Sequence, residues 1–306
     1  MPKRLLKLCF FLLFALSQTI QMTWAQTEIS VLDDAQRKIS VSKPVQRIIS
    51  LAPHVTELVF EAGAGAALIG ISDYSDYPEQ AKKIPSIGNI FALDIERLLA
   101  LKPDLVIIWG TGNAKLLAQK LRQHQMLVFE SEPQNYEMIA SSIERIAHLA
   151  GTDAVGKKNA QAFRQRLEQI KQRYQLKSNE TPLNVFYQIG SKPIMSINGK
   201  HILTQVMATC GAKNSFANVK DLVPTLSAEA IIANNPDAIV SSGNNVEQSL
   251  GNWLNFKHLK AVQNKHLFVI DGDLLNRSGP RILDGTEQLC KQLASVRSIN
   301  SKPVKN

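Results

Sequence analysis

Two glutamates occupy matching local sequences. Leu93 to Asp104, LDIERLLALKPD, and Leu226 to Asp237, LSAEAIIANNPD, put Glu96 and Glu229 two positions after a capping residue, Asp94 or Ser227. The offset is constant, 229 − 96 = 133 and 236 − 103 = 133, and each copy ends on Pro-Asp ahead of an apolar run. A carboxylate in a first helical turn gains only a few tenths of a kcal/mol, roughly, from the helix dipole. That accounts for each glutamate singly; a matched, exposed pair also suits a partner with two basic pockets. The sulfur chemistry rests on Cys210 and Cys290, once Cys9 is removed with the leader described below. In an oxidising compartment a lone pair of cysteines most often forms a disulfide. The alternative is two free thiols or a metal pair, although no histidine stands nearby at ligand spacing. Catalytic chemistry finds little support. Gly63-Ala64-Gly65 with Gly70 has the wrong spacing for a dinucleotide loop and follows a helix, where glycine ends it. No Ser–His–acid or metal-ligand cluster stands out. The expectation is a binding protein rather than an enzyme; an exported α/β enzyme is the distant alternative, and a structural or adhesive role lies below that.

The elements that must hold these residues follow from periodicity. Met1 to Ala25 reads as a signal peptide: Lys3, Arg4 and Lys7 in front, an apolar core from Leu8 to Leu16, and Thr23-Trp24-Ala25 before Gln26. That core is too short to span a bilayer. The formal charge of +9 includes +3 from the leader, leaving 9 − 3 = +6 spread along helix faces. Dispersed basic residues argue against nucleic acid as a partner. Residues 28 to 42 read as a hairpin turning near Asp33-Asp34. Short apolar strands then alternate with helices: strands at 47–51, 68–72, 105–109 and 127–129, helices at 56–62, 93–101, 114–124 and 136–149. This alternation argues a parallel sheet covered on both faces. Asp153 to Lys177 carries Phe163, Leu167, Ile170 and Tyr174 on one apolar stripe, a long helix capped by Thr152 or Asp153. The pattern resumes with strands at 184–189, 238–241 and 267–270 and helices at 201–210 and 228–233. A last helix has Pro280 in its first turn and runs to about Ala294, ahead of a frayed tail from Arg297. Since the same helix–strand unit occurs on both sides of the long helix, that helix reads as a strut joining two lobes. The division expected is a signal peptide 1–25, an N-terminal lobe 26–150, a linking helix 151–178 and a C-terminal lobe 179–306.

RIISLAPHVTEL (47–58), ISDYSDYP (71–78), LDIERLLALKPDLVIIW (93–109) and NRSGPRILDGTEQLC (276–290) carry a resemblance that covers essentially the whole mature chain. The chain resembles the periplasmic substrate-binding proteins of ABC importers that have a rigid helical strut, the class III binding proteins that take up cobalamin, haem and siderophore iron. The SDYSDYP loop, the Trp-x-x-Gly-Asn run from Trp109 and the placement of Cys210 and Cys290 are most similar to the cobalamin-binding members. The resemblance implies two Rossmann-like α/β lobes with central parallel sheets, and a monomer that takes cobalamin between them. It implies delivery to an inner-membrane ABC permease dimer with its ATPase subunits, with Glu96 and Glu229 docking on it. Haem or siderophore iron is the alternative cargo; no resident cofactor or metal is expected. Open α/β sheets bind ligands at the carboxyl ends of their strands. That rule selects the loops of His54, Tyr74, Trp109 and Arg277. His54 either touches ligand or is a capping or solvated loop histidine. Tyr74 and Trp109 match aromatic contacts of the family, or pack at strand ends. Asp273 and Arg277 match the polar rim, and Arg281, one turn on, reads as structural. Ile90, Met195 and Val223 stand where cobalamin binders have large aromatics. Phe91 is placed to substitute for one of them, and Met195 still offers adaptable apolar contact. A haem carrier would need an axial ligand, for which His54, Tyr74 and Tyr77 are the candidates.

Overall fold

The computed structural model describes residues 28–89, 93–110, 114–178 and 180–300; the leader read at 1–25, Ile90 and Phe91 lie outside the described residues. Strands β1 (Ile29–Leu32) and β2 (Lys38–Val41) form the expected antiparallel hairpin. The first lobe then runs β3 (Ile48–Ser50), α1 (Pro53–Glu61), β4 (Leu68–Ile71), α2 (Ile95–Ala100), β5 (Leu105–Trp109), α3 (Ala114–Gln123), β6 (Val128–Ser131) and α4 (Tyr136–Ala150). Helix α5 (Asp153–Tyr174) leads to the second lobe. There β7 (Leu183–Gln188), the small ribbon β8 (Gly190–Ser191) and β9 (Ile194–Met195), α6 (Ile202–Thr209) and β10 (Ala212–Asn214) come first. They are followed by α7 (Ala228–Asn234), β11 (Ala238–Ser242), α8 (Val246–Leu250), α9 (Lys260–Gln263), β12 (Leu267–Ile270), α10 (Gly272–Leu275) and α11 (Ile282–Asn300).

Each lobe has a four-stranded parallel sheet, and the two orders are equivalent: β4-β3-β5-β6 and β10-β7-β11-β12. In both, the first strand of the lobe lies between the second and the third. The sequence repeat is therefore a repeat of topology. Its local physics is also duplicated. Asp94 and Ser227 each accept from the backbone N–H three residues on, capping α2 and α7. Lys102 and Asn235, again 133 apart, end these helices in the left-handed region at φ 45° and 47°. Proline follows, and then Asp104 or Asp237, whose backbone and carboxylate grip the start of the lobe's first strand. Asp104 accepts from Arg47 N–H at 3.0 Å, and Asp237 from Asn184 N–H at 2.9 Å. The Pro-Asp motif thus aligns strand three against strand one in both sheets.

The two faces of each sheet are covered, as continuous apolar strands require. In the first lobe Ile48, Ile107 and Phe129 face one way and Ile49, Val106 and Ile108 the other, all fully buried. The inner faces of both lobes join one contiguous core that includes Phe163, Leu167, Ile170 and Tyr174 of α5. The apolar stripe is as read from the sequence, but the helix ends at Tyr174 and does not stand alone. It lies against α4 so closely that a Cβ on Gly156 would come within 2.2 Å of Ala147 Cβ. Arg164 reaches Glu137 and Glu144 on α4, while Arg166 and Arg173 reach Asp284 and Glu287 on α11. Thr152 occupies the N-cap, yet its hydroxyl bonds to Ala62 and Ala147 carbonyls instead of capping the helix.

Cys210 and Cys290 form a disulfide between the end of α6 and the middle of α11. Two expectations for the C-terminus are corrected. Pro280 precedes the last helix, which begins at Ile282, and the helix continues past Ala294 to Asn300. Arg297 donates to the carbonyls of Cys210 and Tyr174, which holds the last turns against the disulfide and the end of α5. The first-lobe helix read from Thr56 begins three residues earlier, at Pro53, because proline at a first helical position loses no hydrogen bond.

Candidate functional site

A cleft of about 710 Å³ opens between the lobes. Its first-lobe side is built from residues that follow strands: Trp109 ends β5, and Glu132, Pro133 and Gln134 follow β6. Its second-lobe side comes from Ile189 after β7, Asn198 and Lys200 after β9, the first turn of α6, and Lys220, Leu222 and Val223. Leu275, Asn276 and Ser278, between α10 and α11, complete the lining. Both sheets thus present strand ends to the same space, as expected of ligand sites in open α/β sheets.

Trp109 is 42% exposed, and its ring is met edge-on by His54 at 5.7 Å and 75°. His54, the second residue of α1, is only 4% exposed and does not line the cleft. It backs the tryptophan instead. Burial first, and then the positive charge of Arg277, push its imidazole down to about 4; a hydrogen bond with the Ser131 backbone opposes them. His54 is therefore a neutral, apolar-facing support at physiological pH.

Beside the cleft a charged network crosses from one lobe to the other. Arg277 pairs with Asp76 and Asp273 at 2.8 Å each and lies 3.5 Å from Glu57. Arg281 grips Glu57 with two nitrogens, at 3.1 and 2.7 Å, and lies 4.1 Å over the Tyr77 ring. Glu57, on α1, is almost wholly buried. Burial pushes its carboxyl up, while the guanidiniums of Arg281 and Arg277 pull it down. Asp76 is raised by partial burial, but Arg277 outweighs that and holds its carboxyl below the usual range. A buried bidentate pair of this kind fixes geometry more than it adds stability. The arginines are thus compensated within the protein.

The other expected contacts are dispersed. Tyr74 is 79% exposed at φ 64° and lines a separate shallow depression of about 500 Å³ with Asp73, Asp76 and Lys82. Met195, in β9, is half-buried against Gly190 and is not part of the cleft lining. Asp273 is held by Arg277, and Val223 stands exposed in the cleft. Phe91 lies outside the described residues. The second-lobe wall of Asn198, Lys200, His201 and Lys220 escaped the sequence reading, as did Glu132 and Gln134. Part of the signal was present: the strand-end rule, applied to SEPQN after β6 and to the SING turn after β9, selects Glu132, Gln134 and Asn198 with the adjoining Lys200 and His201, whereas Lys220 joins them only through tertiary contact. His201 caps α6 through Nδ1, which accepts from Leu203 N–H, and burial lowers its pKa.

Comparison with known proteins gives a consistent picture. A family model described as Periplasmic binding protein matches residues 48–274. The vitamin B12-binding protein of Vibrio cholerae serotype O1 is 38% identical over 246 residues, covering 79% of this chain and 87% of that protein. That of Photorhabdus laumondii is 36% identical over 244 residues, with 79% and 86% covered. Among solved structures, the periplasmic vitamin B12 binding protein of Vibrio cholerae superposes with a TM-score of 0.74 at 37% identity, covering 83% of this chain and 98% of that one. A periplasmic heme-binding protein from Roseiflexus sp. RS-1 superposes with a TM-score of 0.71 at 23% identity, with 82% and 99% covered, a likeness of fold alone.

Proposed function

The chain belongs to the periplasmic binding protein family, and from that premise we propose that it captures cobalamin between its lobes and delivers it to an ABC importer of the inner membrane. The observation that carries the reading is the cleft between two equivalent sheets, with Trp109 on one wall and amide, lysine and aliphatic side chains on the other. A corrin is a broad apolar ring edged with amides. It suits a concave site that combines apolar surface with a few fixed polar groups. Trp109 supplies the stacking surface, and Tyr74, which lines the separate depression in this structure, is the second aromatic proposed to reach the ligand. Leu222 and Val223 give apolar contact, and Gln134 and Asn276 are placed to bond the amide rim. Asp273 and Arg277 close the edge of the site. Phe91 and Met195 are proposed as further contacts on the strength of the family resemblance alone. The likeness to the vitamin B12-binding proteins supports cobalamin over haem. So does the burial of His54 behind Trp109, which withdraws one of the three candidate axial ligands.

In this reading the protein is exported through its signal peptide, which is cleaved after Ala25, and it works as a monomer. It divides at 150 and 178 into two lobes and a linking helix. It holds cobalamin as cargo, with no resident cofactor and no catalysis. Glu96 and Glu229, both exposed on matched helices, dock on arginines of the two permease subunits. Titration calorimetry with cyanocobalamin tests the binding reading, with one equivalent of heat expected. Absence of heat together with tight binding of haem would transfer the protein to the haem carriers.

A further inference from the structure

We infer that Lys200 and Lys220 read the phosphodiester of the cobalamin nucleotide loop, and so make the protein prefer complete cobalamin over corrinoids that lack that loop. The inference rests on the cobalamin reading of the cleft and deepens it. Cobalamin's rim is neutral amide apart from one fixed anion, the phosphodiester. Neutral donors serve amides, whereas an ammonium is best matched by an anion, so two neighbouring cations in the cleft without an acidic partner among the described residues point to that phosphodiester.

The lysines are uncompensated in a way that the arginines are not. Arg277 and Arg281 share Glu57, Asp76 and Asp273. Lys200 and Lys220 both line the cleft, and neither takes part in an ion pair among the described residues. The acidic group in the cleft lining, Glu132, stands on the opposite lobe's wall, and Asp221, next to Lys220 in sequence, is exposed and outside the lining.

The two lysines are also held beside each other by a built structure. Asn198 is 3% exposed, and its amide grips the backbone of both loops. Its Oδ1 accepts from Lys200 N–H at 2.9 Å, and its Nδ2 donates to the Val219 and Lys220 carbonyls at 3.2 Å each. Asn198 N–H donates to Leu222 O at 3.0 Å and Gly199 N–H to Ala217 O at 2.8 Å, tying the same two loops. Thr204 then donates its hydroxyl to Asn198 O at 2.7 Å, fixing the pair to α6. The loops being already fixed, only the lysine stems remain to be ordered by the ligand, a cost that the two charge-assisted contacts must exceed.

The test compares cyanocobalamin with dicyanocobinamide, which has the same ring without the nucleotide loop, by calorimetry on the full mature protein. The wild type should favour cyanocobalamin by about tenfold, the size of one or two charge-assisted contacts in a partly hydrated cleft. The preference should shrink as salt is raised, since the contacts are open to solvent. In the Lys200→Gln/Lys220→Gln variant the two affinities should converge, and in Lys200→Arg/Lys220→Arg the preference should persist. A wild type that binds both ligands equally, or a glutamine variant that keeps the preference, overturns the assignment while leaving cobalamin binding intact. A wild type that binds neither overturns the cobalamin reading and the assignment with it.

Discussion

His54 shows how burial alters the role of a residue. Chosen from sequence as a ligand contact, it is placed behind Trp109 with its pKa lowered to about 4 by burial and by Arg277. The native protein keeps this histidine neutral, whereas the unfolded chain protonates it near 6.5. As pH falls from about 6.5 to about 4, protons therefore bind the unfolded state preferentially, and stability declines by up to roughly 3 kcal/mol. Urea unfolding at about pH 7.5 and about pH 5 should show this decline, and His54→Gln should flatten it. An unchanged decline in the variant would exclude His54 as its source. The charged rim shows the same effect of context: Arg277, read as a ligand donor, spends its fork on three carboxylates.

At the scale of elements, the duplicated helix–strand unit makes a specific demand on one residue. The left-handed position after α2 is Lys102 and after α7 is Asn235. Asparagine adopts that conformation readily, and lysine does so at a cost. Lys102→Asn should stabilise the protein by up to roughly 1 kcal/mol, raising the midpoint of urea unfolding; a loss of stability would show that the Lys102 side chain contributes more than its backbone costs. The contact of α4 with α5 makes the opposite demand. Gly156 faces Ala147 with no space for a methyl group. Gly156→Ala raises helix propensity but must force the two helices apart, so a net loss of about 1–3 kcal/mol is expected. A neutral or stabilising result would mean that the pair can separate without strain.

At the scale of the molecule, the disulfide and the two acids proposed to dock are each tied to the whole chain. Cys210 and Cys290 are 80 residues apart and join α6 to α11, which also packs on the linking helix. Replacing both with alanine should cost up to about 4 kcal/mol in the chain-entropy account, read as a lower denaturation midpoint. Two alkylatable thiols in unreduced periplasmic protein would contradict the bond. Glu96 and Glu229 stand exposed at the first turns of equivalent helices in the two lobes. The backbone N–H of Glu229 and the Ser227 hydroxyl hold the Glu229 carboxyl below its usual range, so a capping contribution is present there. The proposed docking role is separable from it. Glu96→Ala/Glu229→Ala should leave cobalamin affinity unchanged while weakening binding to the importer and slowing uptake, with single changes doing less. Normal transport by the double variant, or loss of ligand binding, would leave only the helix-capping role.

The sequence by itself determined the elements whose information is local. Apolar runs of four or five residues specified the buried strands, the stripe from Phe163 to Tyr174 specified the long helix, and the 133-residue repeat specified two like lobes. These rest on periodicity and capping, which neighbouring residues settle. The short segments around β8 to β10 and α8 to α10 were illegible, because a few residues cannot carry a period. The last helix was read too short, because Arg297 holds its end only through carbonyls distant in sequence. For the site, strand ends gave Trp109 but not its partners across the cleft. Tertiary structure alone decided that His54 would be enclosed, that Arg277 would be neutralised from both lobes, and that Asn198 would bring Lys200 and Lys220 together. The physical reason is common to all three. Burial, charge compensation and enclosure arise between residues far apart in the chain, and only packing the two lobes against one another creates them.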